Sequence, residues 1–178
     1  MVGLPAGSVR ESVQRVRSAI GSAGYEYPRM RITVNLAPAG VRKSGTGLDL
    51  PIAVGILAAA GVVPVERLHD TLLLGELSLS GALRPVRGIL PVCLMAARSG
   101  VTRVVLPAAQ AAQAAVVPEI QALGASDLSQ VVEALCGRSV LEPAEAPAQV
   151  VNSGGGDLSD VRGQPLARRA LEIAAAGG

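Results

Sequence analysis

The chain has 178 residues, of which 49% are hydrophobic, 17% charged and 1% aromatic, and its net charge is +2. This composition excludes disorder of the whole chain, and the length suits one ordinary domain with part of a second. With two Tyr, one His and two Cys, the chain lacks the stacking platforms of single-strand-binding modules and the ligands of a His/Cys zinc site.

The first elements in chain order are a helix and a strand. The sequence predicts a helix that begins at Ser8, a candidate N-cap with Glu11 in capping-box position, and that ends between Gly21 and Gly24. Residues 29–36 then alternate between apolar and polar side chains, which predicts a half-buried strand.

A loop at residues 41–47 leads into a buried helix. Residues 48–60 are almost wholly apolar and carry Asp49 in the first helical turn. Residues 71–79 predict a strand that pairs with residues 82–86 as a hairpin.

The remaining elements alternate between helix and strand. Apolar periodicity and stop signals predict helices at 89–99, 110–117 and 126–135 and strands at 101–106 and 120–123. Ser126 and Asp127 are candidate caps of the last of these helices. The expected fold class is therefore α/β, with a mixed sheet and packed helices.

The chain changes character after residue 138. Residues 139–156 contain a stretch rich in Ala, Pro and Gly with three consecutive glycines, which is typical of a flexible linker. Residues 157–178 predict a helical segment with too little apolar surface for a core of its own. We expect this segment to begin a second domain that is truncated here, and the N-terminus to be trimmed as well.

Positive charge is concentrated near the N-terminus. Residues 1–43 hold seven basic and two acidic side chains, a local charge of +5, whereas the remainder carries −3. Such a lobe either attracts nucleic acid or is simply a solvated, arginine-rich face. The candidate nucleic-acid contacts are Arg42, Lys43, Arg10, Arg17, Arg29 and Arg31.

Several apparent motifs fail on inspection. Lys43-Ser44 resembles the end of a phosphate-binding loop, but Ala37 and Arg42 occupy the two positions that require glycine. His69 has no accompanying nucleophile motif and is interpreted as a surface residue. Glu76 is expected to pair with Arg84 or Arg87 across the predicted hairpin.

Three blocks of the sequence resemble the magnesium-chelatase-like AAA+ family that includes ComM-type proteins. They read VGLPAGSVRESVQRVRSAI, RITVNLAPAGVRKSGTGLDLPIAVGIL and LLLGELSLSGALRPVRGILPVCLMAARSG. A fourth, DLSDVRGQPLARRALEIAAAGG, resembles the segment that leads into the ATPase module of that family. The resemblance implies that residues 1–138 form a Lon-protease-like domain, a fold shared with a ribosomal protein, and that 157–178 begin the AAA+ module.

The resemblance also locates the positions of the Lon catalytic dyad. The Lon nucleophile lies in a K-D-G-P-S-A-G run, which aligns with residues 43–49 and puts Gly47 at the serine position. The general-base lysine follows a hairpin that resembles residues 75–81, and its position falls on Leu90. Glycine has no hydroxyl and leucine accepts no proton, so we expect no catalytic residue and no enzyme activity in this chain.

The family further implies a function for the complete protein. It predicts an ATP- and Mg-dependent homo-oligomeric ring acting on branched or recombining DNA, in which this chain is an assembly or DNA-contact platform and partner of the AAA+ module. The chain has no Walker A loop, so we expect neither a cofactor nor a metal on it. The alternatives are a residual Lon-type serine peptidase and an accessory subunit for magnesium insertion into porphyrin.

The expected location is the cytoplasm, without a membrane partner. The longest apolar stretch, residues 50–64, is shorter than the ~20 residues of a membrane span. The first residues also lack the charged-then-apolar pattern of an export signal.

Overall fold

A computed structural model describes residues 6–36, 47–148, 160 and 162–176, with side chains described from residue 11 onwards. The chain divides into two compact units, Met1–Pro147 and Ala148–Gly178. The first unit contains all the described strands and five helices, whereas the helix α6 (Pro165–Ala175) belongs to the second. Each unit is described by itself. The predicted boundaries at residues 138 and 156 stay predictions.

The first unit begins with two helices and a small antiparallel hairpin. The helices α1 (Ala6–Ser22) and α2 (Asp49–Ala59) confirm the two helices predicted from periodicity, but α1 begins before the predicted N-cap Ser8, which lies within the helix. The strand predicted over residues 71–79 is instead divided into β1 (Thr71–Leu73) and β2 (Glu76–Leu77), and β2 pairs with β3 (Leu83–Arg84).

The division of that strand has a local cause at Gly75. Its amide donates to Gly47 O at 3.1 Å, and its carbonyl accepts from Leu50 N at 3.0 Å. The backbone of Gly75 is therefore hydrogen-bonded to the start of α2 rather than to a neighbouring strand, and the ladder is interrupted there.

The second half of the unit builds a three-stranded parallel sheet. After α3 (Ile89–Arg98), the elements are β4 (Arg103–Pro107), α4 (Ala108–Ala114), β5 (Gln121–Ala125) and α5 (Leu128–Leu135). The strand order is β1-β4-β5, with Thr71 opposite Arg103 and Arg103 opposite Gln121. Parallel strands joined through helices are typical of α/β domains, and the predicted fold class is confirmed.

Side chains of β4 alternate between two hydrophobic clusters. Val105 belongs to the cluster that contains α1, α2 and α5, whereas Val104 and Leu106 belong to the cluster with α3 and α4. Helices therefore cover both faces of the sheet, and β4 is its buried central strand.

Two local predictions have different outcomes. Asp127 caps α5 as expected: its carboxylate accepts from Gln130 N at 2.9 Å, while Gln130 Oε1 accepts from Ser126 N. The strand predicted over residues 29–36 is wrong in the described part of the chain, which assigns only a single bridge residue, Asn35. The alternation of exposure persists because Ile32, Val34 and Leu36 pack on the first cluster.

The segment after α5 remains attached to the sheet. Leu123 forms an isolated bridge with Pro143, and Ala144 N donates to Ala122 O at 2.8 Å. The first residues of the predicted linker therefore contact β5. Most of its glycine-rich part, at residues 149–156, lies outside the described residues.

Glu133 of α5 is contacted by a tyrosine from the segment after α1 and by an arginine that follows α5. Tyr25 donates to Glu133 Oε1 at 3.0 Å, and Arg138 Nε donates to Glu133 Oε2 at 2.7 Å. The hydrogen bond from Arg138, followed by that from Tyr25, lowers the pKa of the Glu133 carboxyl below its ordinary value. The lowered pKa favours the ionised carboxylate, which accepts both hydrogen bonds.

No helix in the described ranges is long and apolar enough to cross a membrane.

A buried carboxylate joins three elements of the first unit. Asp49 is 1% exposed, at the first residue of α2. Its Oδ1 accepts from Ser12 Oγ at 2.8 Å, and its Oδ2 accepts from Arg15 Nε at 2.7 Å. The amide of Leu77 in β2 donates to the same carboxylate at 3.4 Å. The hydrogen bond that Arg15 donates to Asp49 is the largest contribution that raises the pKa of Arg15 above its ordinary value.

Removing this carboxylate is expected to destabilise the domain strongly. Arg15 also pairs with Glu11 at 3.8 Å, but Glu11 is exposed, so this residue serves as the matched control. We expect Asp49→Ala to lower the free energy of unfolding by about 3–5 kcal/mol, because it leaves a half-buried guanidinium and a buried hydroxyl without an acceptor. Glu11→Ala is expected to change it by less than about 1 kcal/mol.

Urea denaturation followed by circular dichroism measures both changes. Asp49→Asn keeps one oxygen acceptor and is expected to fall between the two. Equal effects of the Asp49 and Glu11 substitutions would contradict the structural role of the buried pair.

Candidate functional site

The glycine at the predicted nucleophile position lies at the entrance to α2. Gly47 O accepts from Gly75 N, so its position is set by backbone hydrogen bonding and requires no side chain. A Cβ added to Gly47 would lie 3.4 Å from Leu74 Cδ1 and 3.5 Å from Val86 Cγ1. The surroundings of this position are therefore apolar.

Val86 is held beside Gly47 by a side-chain amide. Gln110 Oε1 accepts from Val86 N, and Gln110 Nε2 donates to Val86 O, both at 2.8 Å. The amide thus satisfies both backbone groups of Val86 as a neighbouring strand would. This bracing keeps an aliphatic side chain, rather than a polar one, against the Gly47 position.

The predicted general-base position is also aliphatic. Leu90 is the second residue of α3 and is 36% exposed, directly after the buried Ile89. Leu94 and Met95 on the following turn are exposed as well. This stretch of α3 therefore presents apolar side chains, and Leu90 provides no group that exchanges a proton near neutral pH.

The basic candidates divide into those the structure describes and those it does not. The side chains of Arg17, Arg29 and Arg31 are exposed. Arg10 is part of α1, but its side chain is outside the described set, and Arg42 and Lys43 lie outside the described residues altogether.

One contact brings Arg17 of α1 close to the segment after the helix that carries the other two exposed arginines. The guanidinium carbon of Arg17 lies 5.4 Å from the centroid of the Tyr27 ring, within the range of a cation–π interaction. Tyr27 is two residues before Arg29. Arg17 on α1 is therefore close to the segment that carries Arg29 and Arg31, as a shared contact surface requires.

Arg15 contributes to the positive charge that the sequence assigns to residues 1–43, but it is paired with acidic side chains in the structure. Its guanidinium donates to the buried Asp49 and also faces Glu11. The signal for this pairing was Asp49 itself, a lone charge within an otherwise apolar run. A buried carboxylate requires a charged or hydrogen-bonding partner.

Glu76 lies in the β2–β3 ladder, and His69 lies on the surface. Glu76 is opposite Arg84 in that ladder, and its charge also contributes to the raised pKa of Arg15. Its ion pair with Arg84 or Arg87 stays a prediction. His69 is exposed and directly follows the 3-10 turn at residues 65–68. Among the described residues, no group of three or more His, Cys, Asp and Glu side chains is placed to hold a metal ion.

Comparison with known proteins gives consistent results. The family described as subunit ChlI of Mg-chelatase matches residues 1–110. An uncharacterised protein of Mycobacterium tuberculosis is 43% identical over 177 residues, covering 99% of this chain and 35% of the relative. YifB of Escherichia coli is 42% identical over 181 residues, with 100% and 35% covered, and the competence protein ComM of Haemophilus influenzae is 41% identical over 182 residues, with 99% and 36% covered.

A weaker similarity relates the chain to a protease. Lon protease 2 of Bacillus subtilis is 28% identical over 96 residues, covering 54% of this chain and 17% of the protease. The chain spans about a third of the length of the three relatives named above, which match nearly all of it. Its similarity to the Lon protease covers about half of the chain.

Gly47 is only half-buried, and this position is expected to tolerate a serine. We expect Gly47→Ser to change the free energy of unfolding by less than about 1 kcal/mol, because the new Cβ makes only van der Waals contacts with flexible side chains. The matched control is Gly124→Ser, whose Cβ would lie 3.0 Å from the backbone Cα of Ala108. Overpacking there is expected to cost about 1–3 kcal/mol.

Thermal and urea unfolding of both variants checks this expectation. If Gly47→Ser is as destabilising as Gly124→Ser, the position is closed to side chains by packing, and the interpretation of Gly47 as an open dyad position fails.

Proposed function

The chain belongs to the family of the ChlI subunit of Mg-chelatase, and from that premise we propose that it is a non-catalytic, Lon-protease-like domain of a longer AAA+ ATPase. In this proposal the domain is an assembly or DNA-contact platform in DNA processing or recombination during competence, in the cytoplasm. The observation that carries it is the pair of dyad positions, where Gly47 and Leu90 supply neither a nucleophile nor a base.

The catalytic half of the proposal has a direct test. We expect no hydrolysis of labelled casein by the 178-residue chain, because no side chain at the dyad positions can attack a carbonyl or take up its proton. Active Lon protease assayed in parallel is the positive control. Hydrolysis that persists after removal of contaminating proteases would support the residual-peptidase alternative and overturn the proposal.

ATP and Mg²⁺ enter this proposal as ligands of the rest of the protein. The residues around Lys43 do not fit a phosphate-binding loop, since Ala37 and Arg42 stand where glycines are needed. No step on this chain is therefore assigned to either ligand. The homo-oligomeric ring and the contact with the AAA+ module are likewise proposed for the longer protein.

The DNA half of the proposal is supported by the exposed arginines. Arg17, Arg29 and Arg31 are exposed, and within the described part of the chain none of them forms an ion pair with a carboxylate. Guanidinium groups in this state bind phosphate oxygens without regard to base sequence. The aromatic stacking that strengthens single-strand binding is missing, because the chain has two Tyr and no other aromatic residue.

The second candidate is a subunit for magnesium insertion into porphyrin, which the family's description favours. We rank it lower because the competence protein of Haemophilus influenzae is 41% identical and covers 99% of this chain.

DNA binding is expected to be weak and sensitive to salt. Fluorescence anisotropy with a labelled duplex and a four-way junction should give a Kd of roughly 10⁻⁴ to 10⁻⁶ M near physiological salt, weakening as salt rises because counterions are released on binding. Arg29→Ala with Arg31→Ala, and separately Arg42→Ala with Lys43→Ala, are expected to reduce the affinity. The control is Arg98→Ala, an exposed arginine on α3.

Sedimentation of the same variants separates DNA contact from assembly. Loss of DNA affinity with unchanged mass supports the DNA role. If both double variants bind DNA like the parent chain while their mass in solution changes, the basic residues serve assembly and the DNA-contact proposal fails.

A further inference from the structure

A cavity of about 440 Å³ opens at the edge of the parallel sheet where β1, β4 and β5 begin. The first residues of the three strands, Thr71, Arg103 and Gln121, lie side by side in register and line it. Residues paired in register project to the same face of a sheet. The cavity volume lies within the range of small-molecule sites, which is about 300–1,000 Å³.

The lining of the cavity is apolar inside and cationic at its opening. Buried or half-buried aliphatic side chains form the inner wall: Val105, Leu123, Val131, Leu135 and Leu141. Arg67 adds a second guanidinium to the lining, and none of the described lining residues is an acid. Such a combination suits a ligand with an anionic group and an apolar body.

Both guanidinium groups retain donors that the described residues do not use. Arg103 Nη2 donates to Asp70 Oδ1 at 2.6 Å, but Arg103 Nε is buried and meets no acceptor in the described part of the chain. Arg67 forms no ion pair with any described carboxylate. Its Nη2 lies near Gly137, 3.6 Å from where a Cβ on that glycine would be. The Arg67 guanidinium is exposed, so an oxyanion at the opening can accept hydrogen bonds from it without displacing a described carboxylate.

We propose that this cavity binds a small organic anion, with its carboxylate or phosphate between Arg67 and Arg103 and its apolar body against the aliphatic wall. The Gln121 amide lines the same opening and offers a further donor, whereas the Thr71 hydroxyl already donates to the backbone oxygen of Arg67 at 3.2 Å. Charge-assisted hydrogen bonds of this kind fix the orientation of the anion, whereas the apolar wall selects ligands that carry a hydrocarbon group.

The carboxylate form of this chemistry has two natural sources. One is a free carboxylic acid, represented by hexanoate. The other is the C-terminus of a peptide that ends in an apolar residue, represented by N-acetylglycylleucine. The C-terminal amide of that peptide and hexanol retain the apolar parts without the charge, and inorganic phosphate provides an oxyanion without an apolar part.

Binding of these probes to the 178-residue chain is measured by calorimetry and by the NMR signal of the Arg103 Nε–H group. We expect hexanoate or the peptide acid to bind and shift that signal, and hexanol and the peptide amide to bind far more weakly. Arg67→Gln is expected to weaken binding about tenfold or more, as loss of a charged hydrogen bond does. The control Arg98→Gln is expected to leave it unchanged.

The tighter of the two acids identifies the source. The proposal is overturned if neither acid binds at up to about 10 mM, or if Arg67→Gln binds as tightly as the parent chain. Thermal unfolding of each variant is measured in parallel. Arg67→Lys, which retains the charge, distinguishes loss of the anion contact from loss of local structure: it should recover part of the affinity.

Discussion

The arrangement of the first unit depends on one buried carboxylate. Asp49 begins α2 and receives hydrogen bonds from Ser12 and Arg15 of α1 and from the backbone of β2. A charge removed from water is tolerated only with good geometry and with its acceptor positions satisfied. The packing of α1 against α2 is thereby restricted to arrangements that bring these donors to Asp49. Gly47 lies two residues before this carboxylate, and its own position is set by the backbone hydrogen bond from Gly75.

The ion pair between Arg15 and Asp49 lowers the number of positive charges near the N-terminus that are free to contact a partner. The sequence assigns a local charge of +5 to residues 1–43, but Arg15 forms ion pairs with Asp49 and Glu11. The charge available to an outside partner is therefore smaller than composition indicates, and in the described residues it is concentrated at Arg17, Arg29 and Arg31. Formal charge gives the sign of such a surface, whereas the pairing of individual residues decides which of them can contact a phosphate.

Local signals predicted most of the helices and failed where distant residues decide the structure. The cap at Asp127 and the apolar periodicity of α1 act within a few residues, so the sequence displays them directly. The break between β1 and β2 depends on a hydrogen bond from Gly75 N to Gly47 O and one from Leu50 N to Gly75 O, which no periodicity encodes. The cavity at the sheet edge was missed for the same reason, since only strand register brings Thr71 beside Arg103.

The predicted absence of a Lon-type dyad is compatible with the observed fold, because the described contacts around positions 47 and 90 do not involve a nucleophile or a base. The Gly47 turn is fixed by backbone hydrogen bonds with Gly75, and the adjacent Val86 is braced by Gln110. Neither contact requires a nucleophile at position 47 or a base at position 90. We therefore expect the scaffold to be stable without a dyad at these positions. Similarity to Lon in sequence and fold class consequently predicts the architecture of this domain, while its function has to be argued from the side chains that now occupy the site.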